Sequence, residues 1–181
     1  MIASICRCIL FRWLGYKEIN NQVHPEKYVI ALAPHTSNWD FIISMLYSGA
    51  KGMRCQFMMK KTWFFWPMGY LMHALGGIPV LRSRHANLTD QLADVARKSR
   101  SFHLCVTPEG TRRRNTEWRK GFYYIALKAD VPILLYKLDY GRKTIECTRT
   151  IMPNGDYDRQ IEEIKAYYKD AIGKHPDKFA I

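Results

Sequence analysis

The 181-residue chain carries 28 Lys and Arg against 16 Asp and Glu, a formal net charge of +12, at a length that suits one domain (residues 1–181) burying roughly two thirds of its unfolded surface. Its five cysteines, Cys6, Cys8, Cys55, Cys105 and Cys147, are odd in number and lack metal-ligand or disulfide spacing, which argues for reduced thiols in a cytosolic setting and against a catalytic cysteine. The charge favours an anionic partner, whether a membrane surface, nucleic acid, acyl carrier protein or coenzyme A, without choosing among them.

In chain order, Met1 to Leu14 is largely apolar, with Arg7 and Arg12 inside it and Trp13 and Tyr16 near its end. It is shorter than the ~20 residues that span a bilayer and has no convincing cleavage site. Residues 1–16 therefore read as a helix lying in the membrane interface, with packing on the domain core as the alternative. Lys27 to Ala33 is apolar and β-prone and reads as a strand, closed by Pro34, which biases Ala33 toward extended geometry. Ser37 or Asn38 can then cap a helix whose core face is carried by Phe41, Ile42, Met45 and Leu46 and whose first turn holds Asp40.

Gln56 to Met59 reads as a strand. The next stretch, Thr62 to Leu81, contains no Asp, Glu, Lys or Arg. Pro67, Gly69, Gly76, Gly77 and Pro79 divide it into a helix, Trp63 to Leu75, and a strand, Ile78 to Leu81, rather than one membrane span. Trp63, Phe64, Phe65, Trp66, Met68, Tyr70 and Met72 carry more apolar surface than one face of a small domain easily buries, so part of it is expected to meet lipid or line a tunnel for an apolar chain.

Leu88 to Lys98 follows as a helix carrying Leu88, Leu92, Val95 and Ala96, then Phe102 to Val106 as a strand. Arg119 to Lys128 reads as helix, Val131 to Leu138 and Thr144 to Ile151 as strands, and Asp156 to Ala171 as a final amphipathic helix. Strands and helices in turn predict an α/β fold: a mixed, largely parallel sheet flanked by helices. In such sheets ligands bind beyond strand ends, where His35, Arg82 and Glu109 all fall. There is no internal repeat, low-complexity tract or linker.

Two motifs carry chemistry. His35 precedes Asp40 by five residues in Pro34-His35-Thr36-Ser37-Asn38-Trp39-Asp40. A histidine held by a carboxylate can take a proton from a hydroxyl, because the carboxylate fixes the tautomer and stabilises the imidazolium. On one continuous helix the two side chains would point about 140° apart, so pairing needs the break between strand end and helix start. The second motif, Thr107-Pro108-Glu109-Gly110-Thr111-Arg112, directly follows a predicted strand. The basic residues Arg82, Arg84 and Arg112 to Arg114 read alternatively as a solvated face.

The order and spacing of four blocks resemble the glycerolipid acyltransferase family typified by 1-acylglycerol-3-phosphate O-acyltransferase. They are His35 to Asp40, matching H-x-x-x-x-D; Gly77-Ile78-Pro79-Val80-Leu81-Arg82; Thr107 to Arg112, matching F-P-E-G-T-R; and Val131-Pro132-Ile133-Leu134. The resemblance runs from Tyr28 to Leu138 and implies a glycerol-3-phosphate acyltransferase-like sheet. It also implies that His35 is the general base, that Asp40 orients it, and that no covalent acyl-enzyme is needed. Arg82 and Arg112 would hold an anionic head group, Glu109, Gly110 and Thr111 would shape the acceptor pocket, and Lys60 or Lys61 would be the family's upstream lysine. Pro34 stands where the family often has Asn, Thr107 where it has Phe, and both site arginines have basic neighbours; these departures bear on the acceptor more than on the reaction.

The expectation is therefore an O-acyltransferase that moves a fatty acyl group from acyl-coenzyme A or acyl carrier protein to a hydroxyl of a lysophospholipid-like acceptor, lysophosphatidate first. Its partners would be membrane lipids and the acyl donor, and its place the cytoplasmic face of the membrane, peripheral or monotopic. No metal-ligand cluster or dinucleotide fingerprint appears, so no bound cofactor is implied and the thioester is a co-substrate. Acylation of an ornithine or glycine lipid is the alternative acceptor chemistry. A basic nucleic-acid-binding module is the reading from another class, but the chain has no recognised nucleic-acid motif and that reading leaves the order of the four blocks unexplained.

Overall fold

The computed structural model describes residues 2–80 and 88–181. Its seven strands are β1 (Lys17–Asn20), β2 (Lys27–Ala33), β3 (Gln56–Lys60), β4 (Gly77–Val80), β5 (Phe102–Val106), β6 (Ile133–Asp139) and β7 (Thr144–Ile151). They form one sheet in the order β1-β7-β6-β2-β5-β3-β4. The five strands from β6 to β4 are mutually parallel, while β7 is antiparallel to β6 and β1 runs parallel to β7. The fold is the mixed, mostly parallel sheet with flanking helices that the alternation of elements predicts.

The helices are α1 (Ile2–Arg7), continued as a π-helical turn over Cys8–Trp13, then α2 (Trp39–Lys51), α3 (Met68–Ala74), α4 (Leu88–Lys98), α5 (Gly121–Ala129) and α6 (Tyr157–Tyr168). Strand periodicity of two sorts the core into two layers. Val29, Ala31, Phe102, Leu104, Ile133 and Leu135 pack with α4, α5 and α6. Tyr28, Ile30, Leu32, Leu134, Tyr136 and Leu138 pack with α2 and the N-terminal turn around Leu10. The step from β3 to β4 runs in the same direction across the sheet as the step from β2 to β3, so the right-handed crossover rule puts α3 on the α2 side.

Adjacent strands β2 and β5 therefore send their helices to opposite faces, α2 to one and α5 to the other. That is a topological switch point, where the ends of two parallel strands open into a crevice.

The structure corrects several element boundaries. Trp63 to Leu75 is not one helix: a 3-10 turn covers Lys61–Trp63 and α3 begins only at Met68, because Pro67 cannot continue a helix from before it. The helix expected from Arg119 starts at Gly121, and the strand expected from Val131 starts at Ile133. Asp156 caps α6, accepting a hydrogen bond from the Arg159 N–H, and the helix ends at Tyr168. The strand β1 was not expected. Leu81, the last residue of the expected fourth strand, lies outside the described residues.

The core face of α2 is also corrected. Ile43 and Tyr47 are buried while Ile42 is 43% exposed. The N-terminal segment packs on α2 through the π-turn residue Leu10, which is buried, through Arg7 Nε donating to the Ala50 carbonyl at 3.0 Å, and through Cys6, which approaches Gly49 where a Cβ would stand 2.8 Å from its sulfur. Its outer residues Ile2, Ile5 and Trp13 stay exposed.

Candidate active site

The carboxyl ends of the parallel strands gather the candidate residues along one edge. The loop after β2 carries His35, the turn after β5 carries Glu109 to Arg112, β3 ends at Lys60, and β6 is followed by Tyr140. His35 Nδ1 and Asp40 Oδ2 are 3.1 Å apart. The pairing works because His35 lies in the loop while Asp40 is the second residue of α2, the break that the spacing required. Asp40 Oδ2 also accepts the backbone N–H groups of Thr36 and Ser37, each at 2.8 Å, and Oδ1 accepts the Tyr140 hydroxyl at 2.7 Å.

Asp40 is fully buried. Burial pushes its carboxyl up, but the hydrogen bonds from His35, Tyr140 and the Ser37 amide outweigh it and hold it below the usual carboxylate range. The carboxylate stays ionised beside the imidazole. Tyr140 moves the other way: burial first, then its bond to Asp40 and that residue's charge, push the phenol up, so it remains the donor.

Glu109 lies in the turn after β5, the other strand of the switch point. Its Oε2 accepts the backbone N–H of His35 at 2.8 Å. Burial pushes its carboxyl up to about 8, helped by the charge of Asp40 and opposed by the His35 N–H. Asn115 Nδ2 donates to the Glu109 carbonyl at 2.9 Å and closes the turn. Gly110 has φ +66, and a Cβ there would stand 2.7 Å from Arg119 Cγ, so a side chain at 110 would meet both backbone strain and the stem of that arginine.

Thr111 is turned toward its own loop, its Oγ1 accepting the Arg113 N–H at 3.2 Å. The exposed Arg112 donates to the amide oxygen of Asn38. Asn38 precedes α2 without a side-chain capping bond, and Ser37 Oγ instead accepts the Trp39 N–H at 3.2 Å. Lys60 closes β3 opposite Val80 in the strand register, and Lys61 is exposed in the turn that follows. Arg82 and Arg84 lie outside the described residues.

Sequence reasoning missed Tyr140, which reaches Asp40 from 100 positions away, and Arg119, which covers Gly110. It also missed the segment after α6. There the Ile172 carbonyl accepts the Tyr140 N–H at 2.8 Å, the His175 N–H donates to Thr36 Oγ1 at 3.2 Å, and Lys174 Nζ sits 4.4 Å over the Trp39 ring. No local pattern links these residues to the histidine loop.

An apolar cavity lies between α2 and the sheet, lined by Phe41, Met45, Cys55, Phe57, Cys105 and Leu138 among others, with about 60 Å³ of space for a water-sized sphere. Ser44 also lines it, and its Oγ donates to the Asp40 carbonyl at 2.7 Å. The cavity therefore reaches Ser44, one helical turn along α2 from Asp40. Burial raises the Cys105 thiol above its usual range.

Fold and site together place polar groups at the carboxyl ends of a mostly parallel α/β sheet, with an apolar cavity on the α2 side. The chain belongs to the Acyltransferase family, which matches residues 16–134. It is 30% identical over 87 residues to 1-acyl-sn-glycerol-3-phosphate acyltransferase beta from Homo sapiens; the match takes in 45% of this chain and 31% of the human protein, so the chain spans well under two thirds of that relative. The crystal structure of the 1-acyl-sn-glycerophosphate (LPA) acyltransferase from Thermotoga maritima superposes with a TM-score of 0.65 over 93% of this chain and 75% of that one, at 16% identity. That likeness is one of fold.

Proposed function

We propose that residues 1–181 form one acyltransferase domain that moves a fatty acyl group from acyl-coenzyme A or acyl carrier protein to a hydroxyl of a lysophospholipid-like acceptor, lysophosphatidate first. The observation that carries this reading is the contact between His35 and the buried Asp40 at 3.1 Å. With Nδ1–H engaged by Asp40, the lone pair available to the acceptor is on Nε2. The acceptor oxygen attacks the thioester carbonyl as Nε2 takes its proton, the carbon–sulfur bond breaks, and the imidazolium returns the proton to the leaving thiolate. Asp40 holds the imidazole in this tautomer throughout.

Arg112, exposed beside the histidine loop, supports an anionic acceptor, since a guanidinium fork matches phosphate oxygens in two-point geometry. In this reading Arg82 supplies a second fork and Lys60 a further positive charge, while Glu109, Gly110 and Thr111 shape the acceptor side. The cavity under α2 is the candidate berth for the acyl chain. A carboxylate-bearing ornithine or glycine lipid would engage the same arginines and is the second acceptor to try.

The surface supports docking on a membrane from one side. Exposed Ile2, Trp13, Trp39, Trp63, Phe65 and Trp66 all belong to the α1, α2 and α3 layer, and the +12 net charge favours an anionic bilayer. Among the described residues no helix is long and apolar enough to cross a membrane; the proposed association is peripheral or monotopic, on the cytoplasmic face. The test is incubation of the purified protein in mixed micelles with an acyl-coenzyme A and a panel of lysolipids, with His35→Ala in parallel and product followed by mass spectrometry. Product from wild type alone is expected; equal product from both proteins would remove His35 from the mechanism.

A further inference from the structure

The two oxygens of Asp40 are used unequally. Oδ2 gathers His35 Nδ1 and the N–H groups of Thr36 and Ser37. Oδ1 accepts the Tyr140 hydroxyl at 2.7 Å. Three donors on one oxygen fix where that oxygen sits but leave the carboxylate free to turn about it; a donor on the second oxygen removes that freedom. We propose that Tyr140 is a positioning residue for the His35–Asp40 pair, its hydroxyl setting the plane of the Asp40 carboxylate so that Oδ2 stays aimed at His35 Nδ1. The assignment rests on the reading of His35 as the base.

Tyr140 is built for the task from both ends. It follows β6, the strand that pairs with β2 on the side opposite β5, so its hydroxyl reaches Asp40 from the neighbouring strand end. Its N–H is tied to the Ile172 carbonyl at 2.8 Å, and its ring meets Tyr16 edge-on, with centroids 6.1 Å apart. Tyr16 is itself buried. Among the described residues, the other titratable groups whose charge is felt here are Glu109 across the loop, Tyr16, and Asp139, which pairs with Arg142.

The test is the pH dependence of acyl transfer in Tyr140→Phe and in a protein carrying 3-fluorotyrosine at position 140. Phe removes the donor and leaves a buried oxygen unpaired: kcat should fall about tenfold, both KM values should stay within about twofold, and the acid limb of kcat/KM should move to higher pH as Asp40 holds the imidazolium more strongly. Fluorotyrosine keeps the shape while making the hydroxyl a stronger donor, so its acid limb should move to lower pH. A role in packing alone would move neither limb. Coincident limbs in wild type and the fluorotyrosine protein would overturn the assignment, and that protein decides the matter even where Tyr140→Phe folds poorly. His35→Ala run in the same series separates the two failures: full activity there removes the base itself, whereas an inactive His35→Ala beside unmoved limbs removes only Tyr140.

Discussion

Glu109 Oε2 accepts the backbone N–H of His35 at 2.8 Å, so the turn after β5 grips the loop after β2 across the switch point. The grip uses a carboxyl that burial pushes up to about 8. At neutral pH Glu109 is mostly protonated, a neutral group holding the histidine loop beside a charged Asp40.

This arrangement sets a sign for stability against pH. Between the ordinary carboxyl value of 4.5 and about 8, the folded chain keeps a proton on Glu109 that the unfolded chain releases, so its contribution to stability falls as pH rises through that window. Glu109→Gln, neutral at every pH, is expected to flatten the fall and to exceed wild type above pH 8 by on the order of a few kcal/mol at most. Urea unfolding at pH 5.5 and 8.5 measures it. Parallel slopes in the two proteins would mean that Glu109 is ionised in the fold.

Asp40 has the opposite sign. Held below the usual range, it adds stability that is present above the ordinary carboxylate value and lost as pH falls through its folded one. Asp40→Asn keeps the shape but removes the charge that supports an imidazolium. We expect kcat to fall by about 100- to 10,000-fold with KM little changed. Steady-state kinetics beside a circular dichroism spectrum separates this from misfolding, and a loss confined to KM would contradict the role.

Arg112 donates to Asn38, in the loop that carries His35. Arg112→Ala is expected to raise the KM for a phosphate-bearing acceptor about tenfold while kcat stays within a few-fold, because a two-point charged contact is lost in ground and transition state alike. Arg112→Lys should recover only part of it. Acceptor titrations at saturating donor give the answer, and an unchanged KM in both variants would remove Arg112 from the acceptor site.

The exposed aromatics of the β3–α3 connection make a prediction about lipid. Replacing Trp63, Phe65 and Trp66 together by Ala should weaken partition into anionic vesicles by about a hundredfold or more, given about 1.5–3 kcal/mol for each large side chain that enters an apolar phase. Val95, exposed on the opposite helix layer, serves as the control, and Val95→Ala should float like wild type. Vesicle flotation with equal recovery of all three proteins would place the membrane contact elsewhere.

The fold was legible where the chain writes one strong signal at a time. Lys27–Ala33 and Phe102–Val106 are apolar runs of strand length, and each is placed by its neighbours' turns. Lys17–Asn20 is four residues of mixed polarity on the sheet edge, stabilised by its pairing with β7, and nothing local announces it. The face of α2 was misread because Asp40 sets the phase of that helix: once its carboxylate turns inward to His35, Ile43 and Tyr47 turn in with it at spacings of three and seven, and Trp39 and Ile42 turn out. The His35–Asp40 contact was legible from a five-residue spacing plus a strand end. Tyr140 was not, because its link to Asp40 exists only through the pairing of β6 with β2.

The contacts from the segment after α6 bear on the order in which the fold is assembled. Thr36, next to the histidine, receives the His175 N–H, and Tyr140 gives its own N–H to Ile172. A ribosome makes the histidine loop early and these supports more than a hundred residues later. The His35–Asp40 pair thus gains these braces only after the rest of the sheet has been synthesised, and a nascent chain still missing that segment holds the pair with fewer supports.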